Sequence, residues 1–165
     1  MRRYPRRVTE TLHRNAQHVA AVLRELGAAG EVRRLDSSAR TAVEAAESLG
    51  VPVGAICSSL VFLLDGEPLL VLTSGRHRVD TARLGAELGG SLARADADTV
   101  RAATGQPIGG VAPVGHPAPL RTVVDLALEE HEVVWAAAGH PYCVFPTSFA
   151  ELLRITGGEP RAVGD

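Results

Sequence analysis

Two apolar runs, residues 56–64 and 69–73, flank the dipeptide Asp65-Gly66. Asp-Gly between apolar runs is a strong two-residue hairpin signal, because both turn positions need positive φ. Both runs are apolar at successive positions, so neither strand has a polar face to turn toward water. That pattern predicts central strands covered by helices. The helices to cover them are legible. Leu12, Ala16, Val19, Val22, Leu23 and Leu26 recur at steps of three and four, predicting a helix over 9–26 that Gly27 stops. Thr41 followed by Glu44 announces a second helix that closes at Gly50, with Pro52 beyond. Asp80 caps a third helix reaching 88, and Asp96 a fourth reaching 104. Ser148 with Glu151 opens the last, ended by Gly157-Gly158. Residues 31–35, 120–124 and 132–136 read as further strands. Helices and strands interleave around an antiparallel hairpin, so the expected class is α/β of the α+β type, with a mixed sheet and surrounding helices.

The chain has 165 residues, 45% hydrophobic and 22% charged, which suits one domain spanning 1–165 with a substantial core. Its formal net charge of −2 gives no broad basic face for DNA, but an RNA held locally at one end is compatible. No apolar run is long enough for a membrane span. The opening Met-Arg-Arg-Tyr-Pro-Arg-Arg has no apolar signal-peptide core. A cytoplasmic protein, monomer or homodimer, is expected. Arginines 2, 3, 6 and 7 are either a solvated tail or a contact to an RNA backbone. Cys57 and Cys143 make no disulfide framework and have no metal-site spacing. There is no lysine among the 17 basic residues, so a lysine Schiff base, general base or phosphate clamp is excluded.

Three segments carry candidate chemistry. The stretch from Gly105 through Pro107, Ile108, Gly109, Gly110, Val111 and Pro113 to Gly115 is both permissive and stiff. It suits a preorganised oxyanion site built from main-chain amides, or else a plain helix C-cap and turn. It lacks the order of a dinucleotide fingerprint, and no phosphate-loop Gly-Lys pair exists. Ser58 and Ser59 sit in a buried strand on opposite faces, so only one should look into a given pocket. They sit in no nucleophile elbow, and backbone-satisfied hydroxyls are the plain alternative. Cys57 reads as a small buried residue. Gly139 and His140 follow a strand, where His140 is either an acid/base or a solvated loop histidine. Asp125 fixes a loop or orients a ligand. His77 and His131 are expected to face solvent.

Taken together, Ser59-Leu-Val-Phe62, Asp65-Gly66, the run 72–80, Thr104 to Gly115, Asp125 and the segment 139–146 resemble, in order, the YbaK/EbsC-type aminoacyl-tRNA editing family. That family includes free-standing deacylases and the editing insertion of bacterial prolyl-tRNA synthetases. The likeness covers about residues 37–158. It implies a barrel-like mixed sheet and hydrolysis of the ester joining a wrong, small amino acid to tRNA. It also implies no cofactor and no metal, with the ribose hydroxyl of the terminal adenosine and a water assisting. The partners it implies are the aminoacyl-tRNA 3′ end and, as a candidate, an aminoacyl-tRNA synthetase. The site residues implied are Gly109, Gly110 and Ser58 for chemistry. Ser59, Phe62, Thr73, Gly105, Pro107, Ile108, Val111, Pro113, Asp125, Gly139 and His140 are implied for substrate. Many members carry a lysine immediately before the serine matching Ser59, where this chain has Ser58. Arg76, Arg78 or another arginine is the candidate replacement, and Tyr142 lies nearer than His140 to the expected family histidine. The alternative function is a catalytically weak or inactive module that binds an aminoacyl-adenosine end or a related small ligand.

Overall fold

A computed structural model describes residues 12–165, so the arginines at 2, 3, 6 and 7 and the expected helix start at 9–11 lie outside the described residues. The hairpin forms as its sequence dictates. Strand β2 (Ile56–Leu64) pairs antiparallel with β3 (Glu67–Ser74) along its whole length, Leu64 opposite Glu67. Asp65 at φ 49° and Gly66 at φ 86° make the turn, both in the left-handed region it requires.

Five helices are described: α1 (Arg14–Glu25), α2 (Ala42–Leu49), α3 (Thr81–Glu87), α4 (Ala97–Thr104) and α5 (Phe149–Thr156). Helix α1 begins later than the apolar period suggests. His13 is its N-cap, accepting from the Asn15 amide, and Leu12 packs into the core ahead of it. The Thr41 capping box is complete in both directions, and Asp80 and Asp96 cap α3 and α4. The box at Ser148 is half made. Ser148 accepts from the Glu151 amide, but the Glu151 carboxylate accepts from the Thr147 hydroxyl at 2.6 Å and the Ala29 amide at 3.0 Å instead. It ties the chain after α1 to the start of α5 rather than closing its own cap.

The remaining strands are β1 (Arg33–Arg34), β4 (Leu92–Arg94), β5 (Arg121–Asp125), β6 (Val134–Ala137), β7 (Cys143–Thr147) and β8 (Glu159–Arg161). The sheet order is β1-β7-β6-β2-β3-β5-β8, with β4 also on β2. It is mixed: β3–β5, β5–β8 and β2–β6 are parallel, and the other pairs are antiparallel. Strands β4, β7 and β8 were not expected. β4 and β8 span three residues each, too short for any periodicity, and β7 carries Pro146, a residue that argues against a strand.

Helices cover both faces, as the hairpin demanded. On one face α1 and α5 bury Ala16, Val19, Leu23, Leu152 and Ile155 against Val61, Leu70, Leu72 and Phe145. On the other, α3 seats Leu84 against Phe62, Leu69 and Val71, and α2 seats Ala45 and Ala46 against Ile56 and Trp135. Leu70 and Leu72 are fully buried, and truncating either to alanine costs about 2–5 kcal/mol. No described helix is long and apolar enough to cross a membrane.

Candidate functional site

The site begins with a split in the sheet. One edge of β2 is fully paired with β3. The other edge pairs with β6 at Ile56 and Cys57 and with β4 from Phe62 to Leu64, leaving residues 58–61 without a strand between. The Gly75 amide donates to the Ile56 carbonyl at 2.8 Å, so even-numbered β2 residues bond toward β3. By alternation, the main-chain groups of Ser59 and Val61 point into the split. A cavity of about 320 Å³ fills it. Ser58 and Ser59 both line this cavity, together with Phe62, Ile108, Gly109 and Val111. Both serines line the cavity because the main chain of β2 borders the split, whichever face each side chain takes. The Ser59 hydroxyl is buried without a hydrogen-bond partner.

The loop after α4 forms the opposite wall. Gly105 caps α4 at φ 73°. The Gly110 amide donates to the Pro107 carbonyl at 2.9 Å, closing a turn with Gly109 at φ 87° in the position that requires glycine. Gly110 is therefore not a free oxyanion donor. Its role is close approach, since a Cβ there would lie 2.8 Å from the His140 main chain. The amides of Gly109 and Val111 have no acceptor among the described residues. Stiffness comes from two side chains that loop composition did not reveal. Gln106, 3% exposed, accepts from the Ala112 amide at 2.6 Å and donates to the Val114 carbonyl at 3.3 Å. His116 Nε2 meets the Ala112 carbonyl at 2.8 Å, and burial lowers that imidazole's pKa, consistent with a neutral ring donating there.

The mouth is cationic. Arg40 and Arg94 both line the cavity, both are exposed, and no carboxylate lines it. Neither arginine makes an ion pair among the described residues. The Arg40 stem lies over Gly109, where an added Cβ would sit 3.2 Å from its Cγ. Arg76 is instead paired with Glu130 at 2.8 Å, and neither Arg76 nor Arg78 reaches the wall. Sequence reading missed Arg40 and Arg94, along with Trp135 and Val100. The one available signal was Thr41, whose cap places the preceding arginine at a helix start.

Other expected residues lie apart from the cavity wall. Thr73, opposite Ser58, is 2% exposed with an unpartnered hydroxyl. Pro107 and Pro113 shape the loop behind the wall, and Gly139 packs on α1 at Asn15 and Val19. His140 stacks on His13 with centroids 4.6 Å apart, and its Nδ1 accepts from the Tyr142 amide. Burial, then the positive fields of His13, Arg34 and Arg40, lower its pKa. Asp125, 1% exposed, accepts from the Ser74 amide, the Ala127 amide and His77, so it fixes a turn. His77 is thus held by a buried carboxylate, and His131 packs beside Gly54; neither is a freely solvated ring. Burial, followed by the Asp125 charge, pushes the Cys57 thiol far up, leaving it unreactive. Among the described residues no three His, Cys, Asp or Glu side chains gather as a metal site.

Fold and cavity together define an α/β domain with a small preformed pocket at a split in its sheet. Residues 36–155 match the family model of the aminoacyl-tRNA editing domain, and the chain belongs to that family. A solved structure described as a proposed trans-editing enzyme for prolyl tRNA synthetase superposes with a TM-score of 0.89 at 38% identity, covering 94% of this chain and 99% of that one. The hypothetical protein APE2540 superposes at 0.84 with 28% identity, covering 90% and 99%. Proline–tRNA ligase of Geobacter sulfurreducens is 28% identical over 141 residues, 78% of this chain but 24% of the ligase. The chain thus spans about a quarter of that relative's length. The uncharacterized protein YwhH of Bacillus subtilis is 28% identical over 110 residues, 66% of this chain and 70% of YwhH.

Proposed function

We propose that the chain acts in trans as a deacylase, hydrolysing the ester between a small mischarged amino acid and the 3′ end of tRNA. The observation that carries this reading is the cavity in the β2 split, lined by Gly109 and Val111, whose amides have no acceptor among the described residues. In the step, water adds to the ester carbonyl and its oxygen becomes an oxyanion. The carbon–oxygen bond to the ribose then breaks, and the ribose oxygen takes up a proton. The products are a free amino acid and an uncharged 3′ end. Fixed amides aimed at the developing oxyanion lower the barrier without any side-chain nucleophile, each by about 3–4 kcal/mol. Ser58 offers a neutral hydrogen bond to the substrate, and Arg40 and Arg94 bring positive charge to the cavity. Val61, Val100, Val111 and Ala136 keep the acyl space small, although each methylene discriminates by only about 1–3 kcal/mol. The relatives' names point to the tRNA charged by prolyl-tRNA synthetase as the substrate class.

The test is deacylation of a panel of mischarged tRNAs by the purified chain. Release of one small amino acid above the buffer rate is expected, and background rates on every member by folded protein reject the reading. Ser58 supports the second reading, a binding module without turnover. Tight binding of a nonhydrolysable aminoacyl-adenosine analogue, with no hydrolysis of the matching ester, selects it.

A further inference from the structure

From the cavity wall a cluster runs outward whose rings, those of His13, His140 and Tyr142, have no part in the chemistry above. Gly109 and Gly110 each bring a residue of another segment against the loop: Arg40 lies over the first and the main chain of His140 over the second. His13 stacks on His140 at 4.6 Å, and Tyr142 lies tilted against the same ring at 5.7 Å, with the Arg34 guanidinium over the Tyr142 ring at 5.7 Å. Both ends of this row, His13 and Arg34, are exposed, as is Arg40 at the mouth. Among the described residues neither arginine has a carboxylate partner, in a chain whose formal net charge is −2. Unpaired cations beside an open-ended stack of rings form the combination that holds single-stranded nucleic acid, the cations taking phosphates and the flat faces taking bases.

We propose that this row seats the unpaired RNA nucleotides just before the esterified one. Arg40 takes the phosphate at the cavity mouth, and the stack from His13 to Arg34 takes a base. The position follows from the loop, since Gly109 of the cavity wall lies against Arg40 and the next residue, Gly110, against the His140 main chain. The assignment rests on the deacylase reading for the choice of RNA, but its test does not require hydrolysis.

The probe is an uncharged RNA hairpin with a four-nucleotide single-stranded 3′ tail, compared with the same hairpin cut blunt, binding the full chain over a range of salt. Wild type is expected to prefer the tailed RNA. Arg40→Ala and Arg34→Ala should each weaken tailed binding roughly tenfold, and Arg40→Ala should also flatten the salt slope by about 0.7 for the phosphate no longer neutralised. His13→Asn keeps an N-cap for α1 while removing the ring, and should weaken tailed binding roughly 5- to 100-fold with the salt slope unchanged. All three residues are exposed, so the variants should fold, and circular dichroism checks this. Equal wild-type affinity for tailed and blunt RNA overturns the seat, as do three folded variants that bind tailed RNA like wild type. Tail-dependent binding without any deacylation leaves the seat standing and removes only the enzymatic reading. Deacylation without tail-dependent binding does the reverse.

Discussion

Asp125 has two possible duties, fixing a loop or orienting a ligand, and its hydrogen bonds assign it the first. The carboxylate is 1% exposed and accepts three hydrogen bonds: from the Ser74 amide at 3.0 Å, the Ala127 amide at 2.9 Å and His77 Nδ1 at 3.0 Å. In Asp125→Ala the two amides lose their acceptor, and Ser74 is fully buried, so water does not replace it. A buried donor left unsatisfied costs about 1–3 kcal/mol, and two of them give about 2–6 kcal/mol. The His77 ring is 19% exposed and can rehydrate, so it adds little. For a chain of this size each kcal/mol lowers Tm by about 2–4 °C, so a fall of about 8–16 °C is expected for a mid-range loss. Asp125→Asn should recover part of this. Its carbonyl can serve Ala127, while its amino group faces the Ser74 donor. Urea unfolding with an unchanged m-value measures the loss. Asp125→Asn, folded at low temperature, should still bind the aminoacyl-adenosine analogue like wild type. A folded Asp125 variant within about 1 kcal/mol of wild type that has lost ligand binding refutes this reasoning and returns Asp125 to the ligand.

Two of the three buried hydroxyls without a partner, those of Thr73 and Ser59, make a pair of stability tests. Thr73→Val removes a buried, unpartnered hydroxyl away from the cavity and should raise stability by about 1 kcal/mol, read by urea unfolding, with deacylation unchanged. Ser59→Ala removes a buried, unpartnered hydroxyl and should hold or raise stability by urea unfolding; a clear loss of stability refutes this. Gly110→Ala pushes a Cβ to within 2.8 Å of the His140 main chain and should cost about 1–3 kcal/mol by thermal melting while displacing the loop and lowering activity. Burial lowers the His116 pKa from its ordinary 6.5, so the unfolded chain binds more protons than the folded one just below that value. This contribution to stability is therefore whole above the ordinary value and shrinks as pH falls through it. His116→Gln keeps a donor for the Ala112 carbonyl without titrating, and should flatten Tm against pH on the acid side; a profile identical to wild type excludes His116 as a source.

The cavity lies where two partial pairings stop short of each other along β2. Strand β6 covers Ile56 and Cys57, and β4 covers Phe62 to Leu64. Neither pairing leaves a trace in the local pattern of β2, which reads as one continuous apolar strand. Pocket residues on that strand, Ser58, Ser59 and Phe62, could be nominated from the sequence, whereas the reason both serines reach the cavity could not. The loop shows the same division. Its glycines and prolines announce a special backbone, but the partner of the Gly110 amide and the clamp made by Gln106 depend on a loop path that composition leaves open. Glu151 follows a capping-box spacing yet spends its carboxylate on Thr147 and Ala29, an arrangement available only once α1 and α5 pack together.

By itself the sequence determined what is short in range. These features are the Asp65-Gly66 turn, the caps at Thr41, Asp80, Asp96 and Ser148, and the burial of β2 and β3 on both faces. Each depends on dihedral preferences or on the solvent avoidance of neighbouring residues. Tertiary structure alone decided where strands β4 and β6 end against β2, and which arginines stand at the mouth. It also decided that a histidine before α1 stacks on one before β7. Those outcomes depend on closing loops of tens to more than a hundred residues, and no local preference encodes which distant edge a strand finds.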